Sequence, residues 1–131
     1  MIVAEDKLGK TEYVKDIKLI ISTYRGRVDK AMSFDHLGKV IEFYKNNEVK
    51  YAIINLLELY GSFAPVMEYL ESSFYPVAIK SGLKAQAIIV TDDLIIKNLT
   101  NKLKAITSRF SVDARTFATK EEAMKWLKLK I

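Results

Sequence analysis

The chain has 131 residues, of which 50% are hydrophobic and 28% are charged. This is the length of one domain, with a balance typical of globular proteins. The absence of cysteine excludes disulfides and thiolate chemistry, and a single histidine leaves too few ligands for a Cys/His metal site. No apolar run reaches the roughly 18 residues of a membrane-spanning helix. Because Glu5 and Asp6 follow the first four residues at once, we expect no signal peptide and a cytoplasmic protein.

The net charge of +5 is unevenly distributed along the chain. Residues 1–79 carry 10 basic and 11 acidic side chains, whereas residues 80–131 carry 11 and 5. A basic half can attract nucleic acid, anionic lipid or an acidic partner, but lysines spread along amphipathic helices more often form a solvated surface. No aromatic platform is interleaved with these lysines, so nucleic acid is the least favoured partner.

Local patterns predict strands and helices in alternation after an opening hairpin. Residues 1–10 are predicted as an extended lead-in. Two β-rich runs joined by a tight turn predict the hairpin, and each later apolar run is followed by a segment with helical spacing. In chain order, the predicted elements are strands 11–14 and 17–24, helix 33–46, strand 49–57, a helix over 62–82, strand 84–91, a helix over 93–108, strand 110–117 and a terminal helix from 119.

Capping residues indicate where these helices begin. Ser33 or Asp35 can cap the first helix, and residues 91–93 can cap the third. Thr119 and Glu122 form a capping box before the last helix. The only histidine, His36, lies in the first turn of the first helix. We expect it to be a surface or cap-adjacent residue rather than a ligand, because no second nitrogen or sulfur ligand is available.

The segment around residues 49–57 organises the rest of the chain. This run is apolar at most positions, which is typical of a parallel strand buried on both faces. The Gly61-Ser62 turn then begins a helix at the carboxyl end of the strand, where open α/β sheets usually bind ligands. Ser62 is predicted as its N-cap. Pro76 lies inside this helix and removes a backbone hydrogen bond, so we expect a kink or a break that could open a cleft.

Together, these elements predict one α/β domain over residues 1–131. The order β-β-α-β-α-β-α-β-α gives a mostly parallel sheet of about five strands, with an N-terminal antiparallel hairpin and helices packed on the sheet. The last strand is predicted at an edge, because Asp113 and Arg115 alternate with less polar residues.

Four segments between residues 13 and 128 carry a further signal. They are Tyr24-Arg25-Gly26, the Tyr51-Ala-Ile-Ile-Asn-Leu strand before the Gly-Ser turn, Ala78-Ile-Lys-Ser-Gly-Leu, and Phe117-Ala-Thr-Lys-Glu-Glu-Ala-Met-Lys-Trp-Leu. With the order of elements, they resemble the STAS/SpoIIAA-like group, in particular its small standalone bacterial members. That group is related in shape to the CRAL-TRIO lipid-binding domains.

The resemblance implies regulation through protein binding rather than catalysis. In anti-sigma-factor antagonists of this group, a partner kinase phosphorylates a serine at the helix start after the central strand, and Ser62 occupies that position here. The usual aspartate before this serine is replaced by Gly61, and a plain N-cap serine is the alternative. The implied partner is a kinase, an anti-sigma-type regulator or a second copy. The candidate binding or switch surface comprises Ser62, Gly61, Tyr60, Phe63, Glu58 and Tyr75.

Other chemistry has weaker support in the sequence. Asp92-Asp93 could form a paired-carboxylate or magnesium site, but helix capping also explains the pair. The Gly-x-Ser-x-Gly spacing of a nucleophile elbow and the phosphate-loop pattern are absent. We therefore predict no enzyme and no cofactor. The alternative function, implied by the similarity to CRAL-TRIO domains, is a small apolar-ligand or lipid carrier. Core packing explains the aromatic residues near the proline break, but they could also line an apolar ligand or partner pocket.

Overall fold

A six-stranded mixed sheet runs through the molecule, and the computed structural model describes residues 1–131. Its strands are Ile2–Glu5 (β1), Gly9–Val14 (β2), Leu19–Arg27 (β3), Tyr51–Tyr60 (β4), Ala85–Ile89 (β5) and Asp113–Phe117 (β6). They lie in the order β1-β2-β3-β4-β5-β6. β1, β2 and β3 pair antiparallel, whereas β3, β4, β5 and β6 pair parallel. The predicted α/β class, with an N-terminal hairpin on a mostly parallel sheet, is confirmed.

Helices cover both faces of this sheet. They are Lys30–Asn46 (α1), Met67–Tyr69 (α2), Tyr75–Ser81 (α3), Leu94–Arg109 (α4) and Lys120–Lys128 (α5). Buried residues of α1, α3 and α4 pack into one cluster with Ile20, Ala52 and Ile88. Ala123 and Leu127 of α5 pack with Leu19 and Ile53 in a second cluster. Because successive strand residues point to opposite faces, the sheet has a three-helix face and an α5 face.

The prediction of an extended lead-in over residues 1–10 is wrong, because β1 lies there and raises the strand count to six. The turn between β1 and β2 is closed by Asp6, whose Oδ1 accepts hydrogen bonds from the N–H groups of Leu8 and Gly9. At Gly9, an added Cβ would lie 2.2 Å from the carbonyl oxygen of Thr23. Glycine therefore permits the close approach of β2 to β3, and the charged residues of this segment hid the strand from its sequence pattern.

The central strand β4 is buried as predicted. Ala52 and Ile53, which face opposite sides, are 2% and 0% exposed. β4 pairs with β5 only as far as Asn55, opposite Ile89, and then continues along β3 to Tyr60. The last five residues of β4 therefore project beyond β5, at the carboxyl edge of the parallel strands.

The predicted break before Pro76 is present. A 3₁₀ turn at Ala64–Val66, α2, a π turn at Leu70–Phe74 and α3 follow one another without a loop. We call this run, residues 64–81, the segmented helix. Pro76 lies at the start of α3, where its missing N–H interrupts the α-helical bonding pattern and a π turn accommodates the irregularity.

The helix starts agree with prediction in two of four cases, and the exception at Ser62 is described with the site below. Asp93 accepts a hydrogen bond from the N–H of Ile96 (3.0 Å), and Thr119 accepts one from the N–H of Glu122 (3.2 Å). The prediction of Ser33 or Asp35 as the first cap is wrong. Asp29 caps α1 by accepting from the N–H of Met32 (2.9 Å), so the helix begins a full turn earlier. β6 lies at an edge of the sheet, as predicted.

Candidate binding site

The predicted surface lies where β4 projects beyond its neighbour β5. Glu58, Tyr60 and Ser62 are exposed, with 53% of Tyr60 accessible to solvent. Gly61 turns the chain with a φ of +92°, a left-handed conformation that favours glycine. The strand and the turn therefore hold three exposed polar or amphipathic side chains at the carboxyl edge of the sheet.

Ser62 is a turn residue rather than the cap of an α-helix, which corrects the N-cap prediction. Its Oγ accepts a hydrogen bond from the N–H of Ala64 at 3.2 Å. The segment that follows is a 3₁₀ turn, and the residue directly before that turn is Phe63 rather than Ser62. Pro65 lies in that turn and offers no N–H. The serine hydroxyl thus closes a short local turn and stays accessible to solvent.

Phe63 and Tyr75 do not belong to the exposed surface, and their assignment to it is corrected. They are 8% and 1% exposed, because both aromatic rings pack inward on the three-helix face. Tyr75 lies directly before the proline break, and its ring contacts Phe74 edge to face with centroids 5.5 Å apart. Both residues line a cavity that is partly open to solvent instead.

This cavity, of about 100 Å³, lies between the sheet and the helices of the three-helix face. On the sheet side it is lined by the turn between β1 and β2 and by β3, β4 and β5. On the helix side it is lined by α1, the segmented helix and α4. Of its 20 lining residues, 17 are hydrophobic. The three polar ones are Ser22, Ser33 and Gln86. The cavity is thus an apolar space with a few placed hydrogen-bonding groups, the usual composition of a small-molecule site.

Gln86 and Tyr75 meet across this cavity. Tyr75 Oη donates to Gln86 Oε1 at 3.1 Å and lies 2.9 Å from Gln86 Nε2, which can donate to it. Gln86 is 1% exposed. Burial raises the pKa of Tyr75, and the hydrogen bond to Gln86 opposes that shift only in part. Tyr75 therefore stays a neutral hydroxyl.

His36 is completely buried, so the expectation of a surface or cap-adjacent residue is wrong. Its Nδ1 lies 2.9 Å from Asp6 Oδ2, and its Nε2 lies 2.8 Å from Thr11 Oγ1. Thr11 Oγ1 in turn lies 2.8 Å from the hydroxyl of Ser22, which lines the cavity. A continuous chain of hydrogen bonds therefore connects the partly exposed Asp6 with the cavity wall. We call these four residues the His36 network.

Sequence reasoning missed the His36 network because its members lie on three elements and in the turn between β1 and β2. One signal was available: His36 occupies the same helical stripe as Val40 and Tyr44, the core residues of α1. Burial of Asp6 disfavours its ionised form, but the hydrogen bond and charge of His36 and the N–H groups of the turn outweigh this effect. The pKa of Asp6 is therefore lowered. A carboxylate accepts only, so Nδ1 of His36 carries the shared proton.

Asp92 and Asp93, the second candidate pair, have separate roles. Asp93 caps α4. Asp92 is exposed, and its carboxylate lies 3.6 Å from the ammonium group of Lys97. The two carboxylates therefore have protein partners that explain their positions. The structure contains no group of three or more His, Asp or Glu side chains placed to hold a metal ion. None of the helices combines the length and the apolar character needed to cross a membrane.

Comparison with solved structures decides the fold. An uncharacterized protein of the DUF3478 family from Shewanella loihica PV-4, described as having a SpoIIAA-like fold, matches over 91% of both chains. Its TM-score is 0.53 and its sequence identity is 21%. This chain has a SpoIIAA-like fold. No family model matches the sequence, and no curated protein matches it.

In this SpoIIAA-like fold, four of the nine exposed large apolar side chains lie at one edge of the sheet. Leu57 and Tyr60 lie on the projecting end of β4, and Leu94 and Ile95 begin α4, five residues after β5 ends. They are 36%, 53%, 74% and 53% exposed. Because parallel neighbours end at the same edge, all four lie at the edge that also displays Ser62. We call these four residues and Ser62 the carboxyl-edge surface.

Proposed function

We propose that this chain is a non-enzymatic regulatory module that binds another protein through the carboxyl-edge surface. The observation that carries the proposal is the exposure of four large apolar side chains at one edge, with Tyr60 and Leu94 more than half accessible. Exposed apolar groups that share one region, rather than being scattered singly, indicate an interaction site. Tyrosine is also among the residues that contribute most to binding energy in interfaces.

Ser62 gives this surface a position for regulation. Its hydroxyl is exposed and bonds only the N–H of Ala64 in the adjoining turn. Phosphorylation would add a charge of about −1.5 to −2 beside apolar groups that must lose water on binding. Binding would therefore weaken. A kinase or an anti-sigma-type regulator is the partner class that fits this arrangement, and either would place the protein in the cytoplasm.

A pull-down with matched variants tests the surface. Wild-type protein is compared with Tyr60→Ser combined with Leu94→Ser, with Ser62→Asp and with Ser62→Ala, and captured proteins are quantified by mass spectrometry. We expect the double variant and Ser62→Asp to lose the same partner, whereas Ser62→Ala keeps it. Size-exclusion chromatography of the same set detects a second copy as the partner.

Leu129→Ser provides the control. Leu129 is 84% exposed but lies after α5, away from the carboxyl-edge surface, so this change removes a large exposed apolar side chain without touching the proposed site. Equal capture by wild type and the double variant would contradict the proposal. A partner lost from the Leu129→Ser variant as well would show that general stickiness, rather than this surface, explains the capture.

A second function, the binding of a small apolar ligand, is supported by the cavity of the three-helix face. Its volume of about 100 Å³ and its 17 hydrophobic lining residues resemble an engineered apolar cavity of about 150 Å³ that binds benzene. The ligand must therefore be small, unless the segmented helix moves outward. Native mass spectrometry of gently purified protein should show the added mass of a bound molecule. Ala52→Val, which adds methyl groups to the cavity wall, should abolish that mass, and an unmodified mass for wild type would contradict this function.

A further inference from the structure

We propose that the cavity selects small neutral molecules that are mostly apolar and carry one hydroxyl group, held by the side-chain amide of Gln86. This inference rests on the second proposed function, the binding of a small ligand in the cavity. It adds the polar anchor and the chemical class of the ligand.

Gln86 is a polar residue in an otherwise apolar, buried strand. It is the second residue of β5, whose other members are alanine and isoleucine, and every residue of this strand is buried. An amide offers two donor hydrogens and an acceptor oxygen with two lone pairs. The hydroxyl of Tyr75 is the only protein group that bonds this amide, and one hydroxyl cannot use all of that capacity. One N–H and one lone pair of Gln86 therefore have no protein partner.

The register of the sheet places this amide beside open space. Gln86 lies opposite Ala52 on the neighbouring strand, and Ala52 lies opposite Ile20 on β3. All three residues line the cavity. The side chain of Ala52 is smaller than those of Gln86 and Ile20 on either side of it, so space remains next to Ala52. Tyr75 bounds this space on the helix side. A ligand above Ala52 would meet the free hydrogen-bonding positions of Gln86.

Charge and hydrogen bonding then define the ligand class. The lining residues include no lysine, arginine, aspartate or glutamate, so a charged ligand would lose its hydration without gaining a counter-ion. Since the amide both donates and accepts, a hydroxyl group, which does the same, matches it better than a purely accepting or purely apolar group. Ser22 adds a second hydroxyl on the β3 wall, already bonded to Thr11. Phenol and small alcohols belong to the predicted class, and carboxylic acids do not.

Phenol and toluene form a matched pair of probes, because they differ in shape only by a hydroxyl in place of a methyl group. Dissociation constants for both are measured by calorimetry on the full chain, for wild type and for Gln86→Leu combined with Tyr75→Phe. The double change removes the anchor without leaving the tyrosine hydroxyl unpaired. We expect the preference for phenol over toluene to fall by about 3- to 10-fold in the variant, the effect of one lost hydrogen bond.

Two controls keep the result decisive. Leu103→Met changes an apolar lining residue at nearly constant volume and should leave the preference unchanged. Gln86→Met provides a second anchor variant if the double variant does not fold. If both probes bind and the preference is the same in all variants, the anchor is overturned while cavity binding stands. If neither probe binds the wild type at millimolar concentration, cavity binding itself is overturned.

Discussion

The two faces of the sheet are built on different principles. The α5 face buries eight residues, all of them apolar except for the hydroxyl of Tyr51, and three are alanines. The three-helix face buries 24 hydrophobic residues, including several aromatic rings. It also contains the cavity, the Gln86–Tyr75 pair and the His36 network. Polar chemistry and open space thus occur together on one face, while the other is closed by small side chains.

The alternation of β5 shows how one strand serves both faces. Ala85, Ala87 and Ile89 face α5, whereas Gln86 and Ile88 face the other helices. Alanines allow a helix to approach the sheet closely, as α5 does on its face. Larger and more irregular side chains on the other face pack less completely around the π turn and the proline break. The α5 face therefore supports the sheet, and the three-helix face is the one that offers space for a ligand.

Removing the His36 ring should have the largest effect. His36→Leu leaves the hydroxyl of Thr11 and the carboxylate of Asp6 without their buried partner. We expect a loss of about 3 kcal/mol in the free energy of unfolding, measured by urea denaturation followed by circular dichroism. Leu127→Met on the α5 face is the matched volume-preserving change, at a residue that is also 0% exposed, and should cost less than about 1.5 kcal/mol. Equal losses at the two sites would show that the polar network adds nothing to ordinary packing.

The same substitution at two alanines tests the difference in packing between the faces. Ala87→Val on the α5 face should cost about 2 kcal/mol of unfolding free energy, because Ala87 is 0% exposed and lies in the closely packed cluster. Ala52→Val adds the same atoms beside the cavity, and we expect a change of less than about 0.5 kcal/mol. Both strands are central, so β propensity contributes equally. Similar losses at Ala52 and Ala87 would show that the cavity is not accessible to added atoms.

The sequence predicts features set by local patterns better than features set by contacts between distant elements. The burial of β4, the break before Pro76 and the helix cap at Thr119 each depend on a local pattern, and all are present. His36 could not be placed locally, because its burial depends on Asp6 and Thr11 from the hairpin. Likewise, a run of mixed charges hid β1, whose pairing is set by the turn that Asp6 closes.

Of the predicted site, the sequence located the exposed part and misplaced the aromatic part. Tyr60 and Ser62 follow a buried strand, and that position alone indicates exposure at the edge of a parallel sheet. Tyr75 turns inward directly after the π turn, which shifts the helical register, whereas Phe63 is buried in the turn before the segmented helix. A helical periodicity does not predict such a shift. The cavity and its Gln86 anchor depend on that shift, so only the three-dimensional structure reveals them.

The smallest expected effect is a difference between two carboxylates, Asp6 and Asp113, in how their contribution to stability is lost in acid. Asp6 belongs to the His36 network, whereas Asp113 on β6 pairs with Lys130, after α5, at 2.9 Å. The hydrogen bond and charge of Lys130 lower the pKa of Asp113 against the effect of burial, so both folded-state pKa values lie below those of the unfolded chain. Each group therefore contributes stability above its unfolded pKa and loses it as the pH falls through the folded value.

Salt should separate the two carboxylates, because the partner of Asp6 is fully buried while the side chains of Asp113 and Lys130 are 41% and 30% exposed. Unfolding free energies are measured from about pH 5 to about pH 3 for wild type, Asp6→Asn and Asp113→Asn. Both variants should lose less stability on acidification than wild type at low salt. At 1 M salt, where the Debye length is about 3 Å, the difference should vanish for Asp113→Asn and persist for Asp6→Asn. If salt removes both differences, Asp6 is paired through water rather than through the buried ring of His36, and the polar interior of the three-helix face would be open to solvent.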